Sequence, residues 1–418
     1  MKRAMPPDSI LPLSLENRGE LDKCVNCGLC QSVCPTYLTN NNESLTARGK
    51  IVLLKSMLDG KLEPSAKIAD IFDNCLTCYA CQTICPADVR TEKIWTSARE
   101  DLSRLSVKSK FKQQLLRFSI GKPAFLERLV RMASLAFGKD TSDHRQINYS
   151  KFGFKLDKRA PYLSSIIGVH SPAGDIRGRV GLLVGCSGNY LYPAAVDATI
   201  KLLNICGWEV IVPKCQVCCG APAINNGNWE LARSLAEINA SVFNELELDA
   251  VLSPDATCSS AIIHDYRRIF FETPNDVVRL ANATQDLGAF IAASLANFPI
   301  EFHNRHYCIA LQDSCHATHY TGNNSWREVL SQIKGITIDE TSNSSNCCGF
   351  GGSYALMHRD SSVIIGRAKI KSVRQHGGNE LVACSPGCVV HLQSAANLED
   401  DNNINVRHVA EIVADFLT

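Results

Sequence analysis

Cys24-Val25-Asn26-Cys27-Gly28-Leu29-Cys30-Gln31-Ser32-Val33-Cys34-Pro35 and Cys75-Leu76-Thr77-Cys78-Tyr79-Ala80-Cys81-Gln82-Thr83-Ile84-Cys85-Pro86 are two runs of one pattern, C-x2-C-x2-C-x3-C-P. With this spacing four thiolates wrap a cubane iron-sulfur cluster, because two intervening residues let a tight turn aim successive sulfurs at different irons. Where two such runs occur, the last cysteine of each ligates the other cluster. The spacing predicts one 4Fe-4S cluster on Cys24, Cys27, Cys30 and Cys85, and a second on Cys75, Cys78, Cys81 and Cys34. Such a cluster carries electrons singly and offers no substrate pocket, so the chain reads first as an electron carrier.

At 418 residues, with 45% hydrophobic residues, the chain is long enough for two or three domains. Twenty cysteines suggest a disulfide framework only in short secreted chains. Met1 to Gly19 contains Pro6, Pro7 and Pro12 and no continuous apolar run, so no leader is read there. No run of apolar residues is long enough for a membrane span. A reducing, cytoplasmic location with thiolates as metal ligands is expected, either free or peripheral on the inner face of the membrane. The net charge of +1 comes with no basic-aromatic motif for nucleic acid.

The expected fold class is mixed α+β and α/β. Residues 15–105 form a mostly helical, two-cluster ferredoxin-like domain. Within it Ala47–Leu58 has helical spacing (Ile51, Val52, Leu54, Met57, Leu58) ended by Gly60, and a second helix runs from Glu92 to about Leu105. Residues 106–177 read as a basic helical linker. Here Arg104, Lys108, Lys110, Lys112, Arg117, Lys122, Arg128 and Arg131 alternate with Leu115, Leu116, Phe118, Phe125, Leu129 and Met132. A solvated face is the preferred reading of this stretch, and an anionic membrane surface or a partner protein is the alternative.

The remainder is a duplication, 178–300 and 301–418. The 129 positions that separate Cys186 from Cys315 also map Cys218-Cys219-Gly220 onto Cys347-Cys348-Gly349. Apolar runs at Val180–Val184, Glu209–Val212, Ala250–Leu252, Tyr307–Leu311 and Glu380–Ala383 alternate with helical segments such as Leu231–Glu245 and Ser361–Gln375, which implies β-α-β units and a mainly parallel sheet. Asp276–Phe298 reads as a helical connector. Neighbouring sulfurs reach one centre only in a bent loop, which Gly220 and Gly349 permit. The candidate metal ligands are Cys186, Cys218, Cys219 and Cys258 in the first copy, and Cys315, Cys347, Cys348, Cys384 and Cys388 in the second. The offset carries Cys388 onto Ser259, one residue from Cys258, so the copies differ at the final ligand. Thiolate sets of this kind suit a further iron-sulfur cluster or zinc. Cys206, Cys215 and Cys308 lie outside the repeat and are read as packing residues. His316 and His319, beside Cys315, are read as structural or solvated.

Together these residues resemble the iron-sulfur subunits of glycolate oxidase, and more widely the family in which two ferredoxin-type motifs precede two CCG cysteine-rich domains. That wider family includes subunits of anaerobic glycerol-3-phosphate dehydrogenase, of lactate-utilisation systems and of heterodisulfide reductase. The resemblance also runs through Ala47-Arg48-Gly49-Lys50-Ile51, Tyr354-Ala355-Leu356 and Arg407-His408-Val409-Ala410-Glu411-Ile412-Val413. It implies that a separate flavin-containing dehydrogenase subunit oxidises a 2-hydroxy acid such as glycolate and passes electrons to this chain. A quinone or other membrane acceptor would then take them on. Cys258 and the Cys384-x3-Cys388 spacing depart from the family pattern. No nucleotide fingerprint is present: Gly349-Phe350-Gly351-Gly352 lacks the strand-G-x-G-x-x-G-helix context. Two other readings are a heterodisulfide-reductase-like catalytic subunit and a metal-bearing interaction module without turnover.

Overall fold

In the computed structural model, the described residues are 11–122, 125, 127–128, 130–132, 149–150, 153–154, 157–322, 325–340, 344–399 and 403–417. The helix Ala47–Leu58 begins where Thr46 caps it, its side chain accepting from the Gly49 amide. Gly60 follows with φ +69°, a turn that suits glycine. Ala47, Lys50, Ile51, Leu54 and Met57 face inward, whereas Val52, expected on that face, is exposed. The helix Thr91–Leu102 buries Ile94, Trp95, Ala98 and Leu102. A third helix, Ala66–Asp73, capped by Ser65, adds Ile68 and Phe72. These side chains share one core with Tyr79 and surround the two cysteine loops. Fully burying a side chain such as Leu54 or Phe72 contributes about 1.5–3 kcal/mol, and it fixes the helices against which the loops turn.

The duplicated half contains two four-stranded sheets. Strands β1 (Gly168–His170), β2 (Gly178–Leu182), β3 (Trp208–Val212) and β4 (Ala250–Leu252) form the first, in the order β1-β3-β2-β4. Strands β5 (Tyr307–Gln312), β6 (Ile336–Asp339), β7 (Glu380–Ala383) and β8 (Asn405–His408) form the second, in the order β8-β7-β5-β6. Each copy therefore has the same three parallel strands, with the strand before its first cysteine in the middle. The copies differ at the added edge. In the first, β1 pairs antiparallel with β3; in the second, β8 pairs parallel with β7. Strand β1 and the buried Leu163 and Ile166 lie within the span read as linker, so the chain joins the first sheet earlier than the sequence pattern suggested. A three-residue strand carries too little periodicity to be seen in sequence.

The sheets do not pack independently. Val180, Leu182 and Val210 share a core with Ile309, Leu311, Val382 and the C-terminal Val409, Ile412 and Phe416. Polar ties reinforce this core: the Tyr192 hydroxyl donates to Glu411 at 2.8 Å, and the His408 imidazole meets the Pro254 carbonyl at 3.0 Å. Two helices, Asn275–Ala283 and Leu287–Asn297, connect the copies.

The basic stretch begins as the helix Val107–Ser119. Lys112, counted among its surface cations, is instead buried and ion-paired with Asp73 at 3.0 Å. Leu129 and the Lys108 side chain lie outside the described residues.

Candidate metal centres

Both N-terminal loops make the same two left-handed turns between cysteines. Asn26 and Gly28 (φ +57° and +85°) in the first correspond to Thr77 and Tyr79 (+49° and +60°) in the second. A left-handed residue other than glycine costs roughly 1–2 kcal/mol. Thr77 and Tyr79 are both buried, so packing holds them there. Each loop then faces a cavity. One is lined by Cys24, Cys27, Cys30, Cys81 and Cys85, the other by Cys34, Cys75, Cys78 and Cys81. The last cysteine of each run thus lies against the other run's cavity.

The electrostatics of the two cavities differ. Cys27 is exposed, and Arg48 reaches over its loop to the Asn26 carbonyl at 3.3 Å. In the second cavity no cysteine is exposed, and Cys78 is buried. Burial pushes the Cys34 and Cys81 thiols up. Burial acts on Cys75 in the same sense, yet Lys50 and Arg99 outweigh it and hold this thiol below its ordinary value. Lys50 is 1% exposed and donates to the Leu45 carbonyl at 2.6 Å. Arg99 donates to the carbonyls of Phe72 (2.9 Å), Asp73 (3.2 Å) and Cys75 (2.6 Å). Two buried cations are expensive unless they face negative charge. A thiolate-ligated cluster supplies it.

In the duplicated half the thiols of Cys186, Cys218, Cys219 and Cys258 lie next to one another in a continuous series. The one-residue shift of Cys258 does not remove it from this set, because its helix, Ala256–Ser260, turns the side chain inward. In the second copy Cys315, Cys347, Cys348 and Cys388 form the corresponding series, with Cys348 and Cys388 sulfurs 2.8 Å apart. Gly220 and Gly349 both take positive φ, +83° and +97°. At Gly349 a Cβ would also lie 2.8 Å from the Ser362 carbonyl and 2.9 Å from His391 Nε2.

Cys384 is not brought to this set. It directly follows strand β7 and belongs to the core with Val382, Val409 and Ala410, whereas Cys388 sits in the first turn of the helix Pro386–Leu398 and faces the cavity. Cys206 is buried, but Cys215 and Cys308 are exposed, so these two do not pack as expected.

Several participants were not singled out in the sequence. Asp255 accepts from Ser187 (2.8 Å) and Ser385 (3.0 Å), bridging the copies. His391 is fully buried against the backbone of Ser362 and Cys348, and burial pushes its imidazole down to about 4. Lys369, 2% exposed, lies near Cys347, Cys348 and Cys388; burial lowers it to about 8. None of these has a local motif, so only the topology reveals them.

The cysteine sets converge. The Cys78 thiol lies beside that of Cys347, inside an apolar cluster of Leu76, Ala80, Tyr354 and Ile365. Thr83 meets His319 at 2.9 Å and the Tyr354 hydroxyl donates to Asn74 at 3.0 Å across the same junction. His316 is buried and packs edge-on to Tyr79. A cavity of about 460 Å³ is bounded by Cys186, Cys219 and Cys258 on one side and by Cys315, Cys347, Cys348 and Cys388 on the other. The sulfurs line cavities, and thiolates of this kind suit an iron-sulfur cluster or zinc.

Two cage-forming loops and two cysteine-rich units define an iron-sulfur protein. Residues 20–89 match the family model for a 4Fe-4S dicluster domain, and residues 180–263 and 309–393 match that for a cysteine-rich domain. The chain is 26% identical to the probable glycolate oxidase iron-sulfur subunit of Bacillus subtilis over 95% of this chain and 94% of that one. It is 27% identical to the glycolate oxidase iron-sulfur subunit of Escherichia coli over 97% and 96%. Lactate utilization protein A 1 of Bacillus anthracis is 30% identical over 56% of this chain and 98% of its own. The chain belongs to the family of iron-sulfur subunits that join a 4Fe-4S dicluster domain to two cysteine-rich domains. Its fold is similar to a hypothetical protein from Helicobacter pylori, with TM-score 0.52 and 10% identity over 96% of this chain and 72% of that one.

Proposed function

We propose that this chain is the electron-transfer subunit of a flavin-dependent 2-hydroxy acid oxidoreductase, with glycolate or lactate as the substrate oxidised on a partner subunit. Two 4Fe-4S clusters, on Cys24, Cys27, Cys30 and Cys85 and on Cys75, Cys78, Cys81 and Cys34, would supply one-electron storage. The single observation that carries this reading is the Cys78–Cys347 proximity, which joins the second N-terminal cage to the second cysteine-rich set. The exposed Cys27 of the Cys24 cage would leave that cluster accessible to the flavin partner. Lys50 and Arg99 favour added negative charge at the second cage, and Leu76, Tyr354 and Ile365 keep water from its junction with Cys347. A quinone or similar acceptor at the inner face of the membrane would be reached from the duplicated half, whose thiols hold a further cluster or zinc.

Reconstitution with a flavin subunit tests this. Acceptor reduction is expected to be lost in Cys75→Ser, Cys78→Ser and Cys81→Ser variants; reduction independent of all three contradicts it. One observation favours a second reading: both cysteine-rich sets face one cavity. A chain that itself reduced a disulfide there would do so with an artificial donor and no flavin subunit.

A further inference from the structure

The helix Val107–Ser119 is amphipathic in an inverted sense. Its inward side is polar and already engaged: Lys112 pairs with Asp73 at 3.0 Å, and Gln113 donates to the Gly227 carbonyl at 2.7 Å. Its outward side carries Phe111, Leu115 and Phe118, which are 65%, 54% and 55% exposed. Spacings of four and three residues put these on one helical face. Beyond the helix Phe125 and Met132 are also exposed. A helix on a globular surface normally turns its large apolar residues inward.

The exposed charges of this helix are basic, with Arg117 ion-paired to the exposed Glu230 of a neighbouring helix. Lys110, Arg117, Lys122, Arg128 and Arg131 are all exposed, and Glu127 is the single acid between Asp101 and Asp140. The Lys122 ammonium sits 5.1 Å from the centre of the Phe118 ring, so cation and aromatic are presented together. Interfaces between proteins are depleted in lysine. Helices that lie in a membrane interface combine lysine and arginine with phenylalanine and leucine. No helix among the described residues is long and apolar enough to cross a membrane, so contact with a bilayer through this face is interfacial.

We propose that the outward face of Val107–Ser119 docks on an anionic bilayer, with Phe111, Leu115 and Phe118 at the acyl boundary and Lys110 and Lys122 among the headgroups. This rests on the peripheral placement given above but not on electron transfer. Ser119 and Ile120, where the helix ends, line the cavity that holds Cys186, Cys219 and Cys258. Docking therefore sets the first cysteine-rich unit beside the membrane.

The test is co-sedimentation of the full chain with vesicles of phosphatidylcholine alone and of phosphatidylcholine mixed with phosphatidylglycerol, without acceptor or partner. Binding is expected to the mixed vesicles only, and to weaken as salt is raised. A Phe111→Ser, Leu115→Ser, Phe118→Ser variant and a Lys110→Gln, Lys122→Gln variant are each expected to bind about tenfold or more weakly, with iron content and circular dichroism unchanged. No binding to mixed vesicles overturns the proposal, as does binding indifferent to both variants. Loss of flavin-subunit binding in the apolar variant, with vesicle binding intact, assigns the face to a protein partner and also overturns it. Acceptor reduction is scored separately, so a failed relay leaves this result readable.

Discussion

The thiols of Cys78 and Cys347, far apart in the sequence, lie side by side in one buried cluster. Their proximity makes the second N-terminal cage and the second cysteine-rich set neighbours. A Cys347→Ser variant is expected to keep about eight irons from the two N-terminal clusters, yet to slow acceptor reduction at least about tenfold. A Cys78→Ser variant is expected to lose about four irons. Iron analysis and stopped-flow reduction of the two variants check this.

Lys50 lies against the same cage with its ammonium held by the Leu45 carbonyl. A nearby fixed cation stabilises the reduced, more negative form of a cluster. Lys50→Met is expected to lower the potential of that cluster on the order of 100 mV at an effective dielectric of about 20. Potentiometric titration followed by electron paramagnetic resonance reads the shift, and an unchanged or raised potential contradicts it.

Asp101 fixes the N-terminal helix Pro12–Glu16 by accepting from the Ser14 amide and hydroxyl, both at 2.7 Å. Burial pushes its carboxyl up to about 6 from an ordinary value of 3.8, against the lowering effect of those hydrogen bonds. The folded chain therefore holds this proton more tightly than the unfolded chain. The associated stability is complete below pH 3.8 and is lost as pH rises to about 6, by about 2–3 kcal/mol. Unfolding midpoints of the parent and Asp101→Asn chains are expected to diverge across that window in favour of the variant, and to run parallel above it.

Cys384 and Cys388 offer an internal comparison. Cys384→Ala is expected to leave metal content unchanged and to cost about 1 kcal/mol or less of stability, because alanine replaces a small buried hydrophobe. Cys388→Ala is expected to remove whatever the second cysteine-rich set holds. Metal analysis of both variants decides whether four sulfurs or five belong to that set.

The parts of the fold visible in the sequence were those built from local repetition. The helix Ala47–Leu58 has the bounds its apolar spacing and Gly60 indicated, and the alternation from Val180 to Ala383 marked the parallel strands. Strand β1 escaped notice because three residues show no period. Lys112 read as a surface charge because its partner, Asp73, is supplied by another helix. Within the sites, spacing identified the cysteines but not their surroundings. Arg99, Asp255, Lys369 and His391 reach the cysteine sets only through tertiary packing. Cys384 and Cys388 are alike in sequence, and only the change from strand to helix at Pro386 sends their side chains in different directions.

The most direct measurement is anaerobic purification of the full chain, with iron and sulfide counting followed by a redox titration monitored by electron paramagnetic resonance. The account predicts at least about eight irons, matched by sulfide, and two reversible one-electron signals from the N-terminal cages. A colourless, redox-silent protein with zinc or bridged sulfurs at Cys24–Cys34 and Cys75–Cys85 would contradict it.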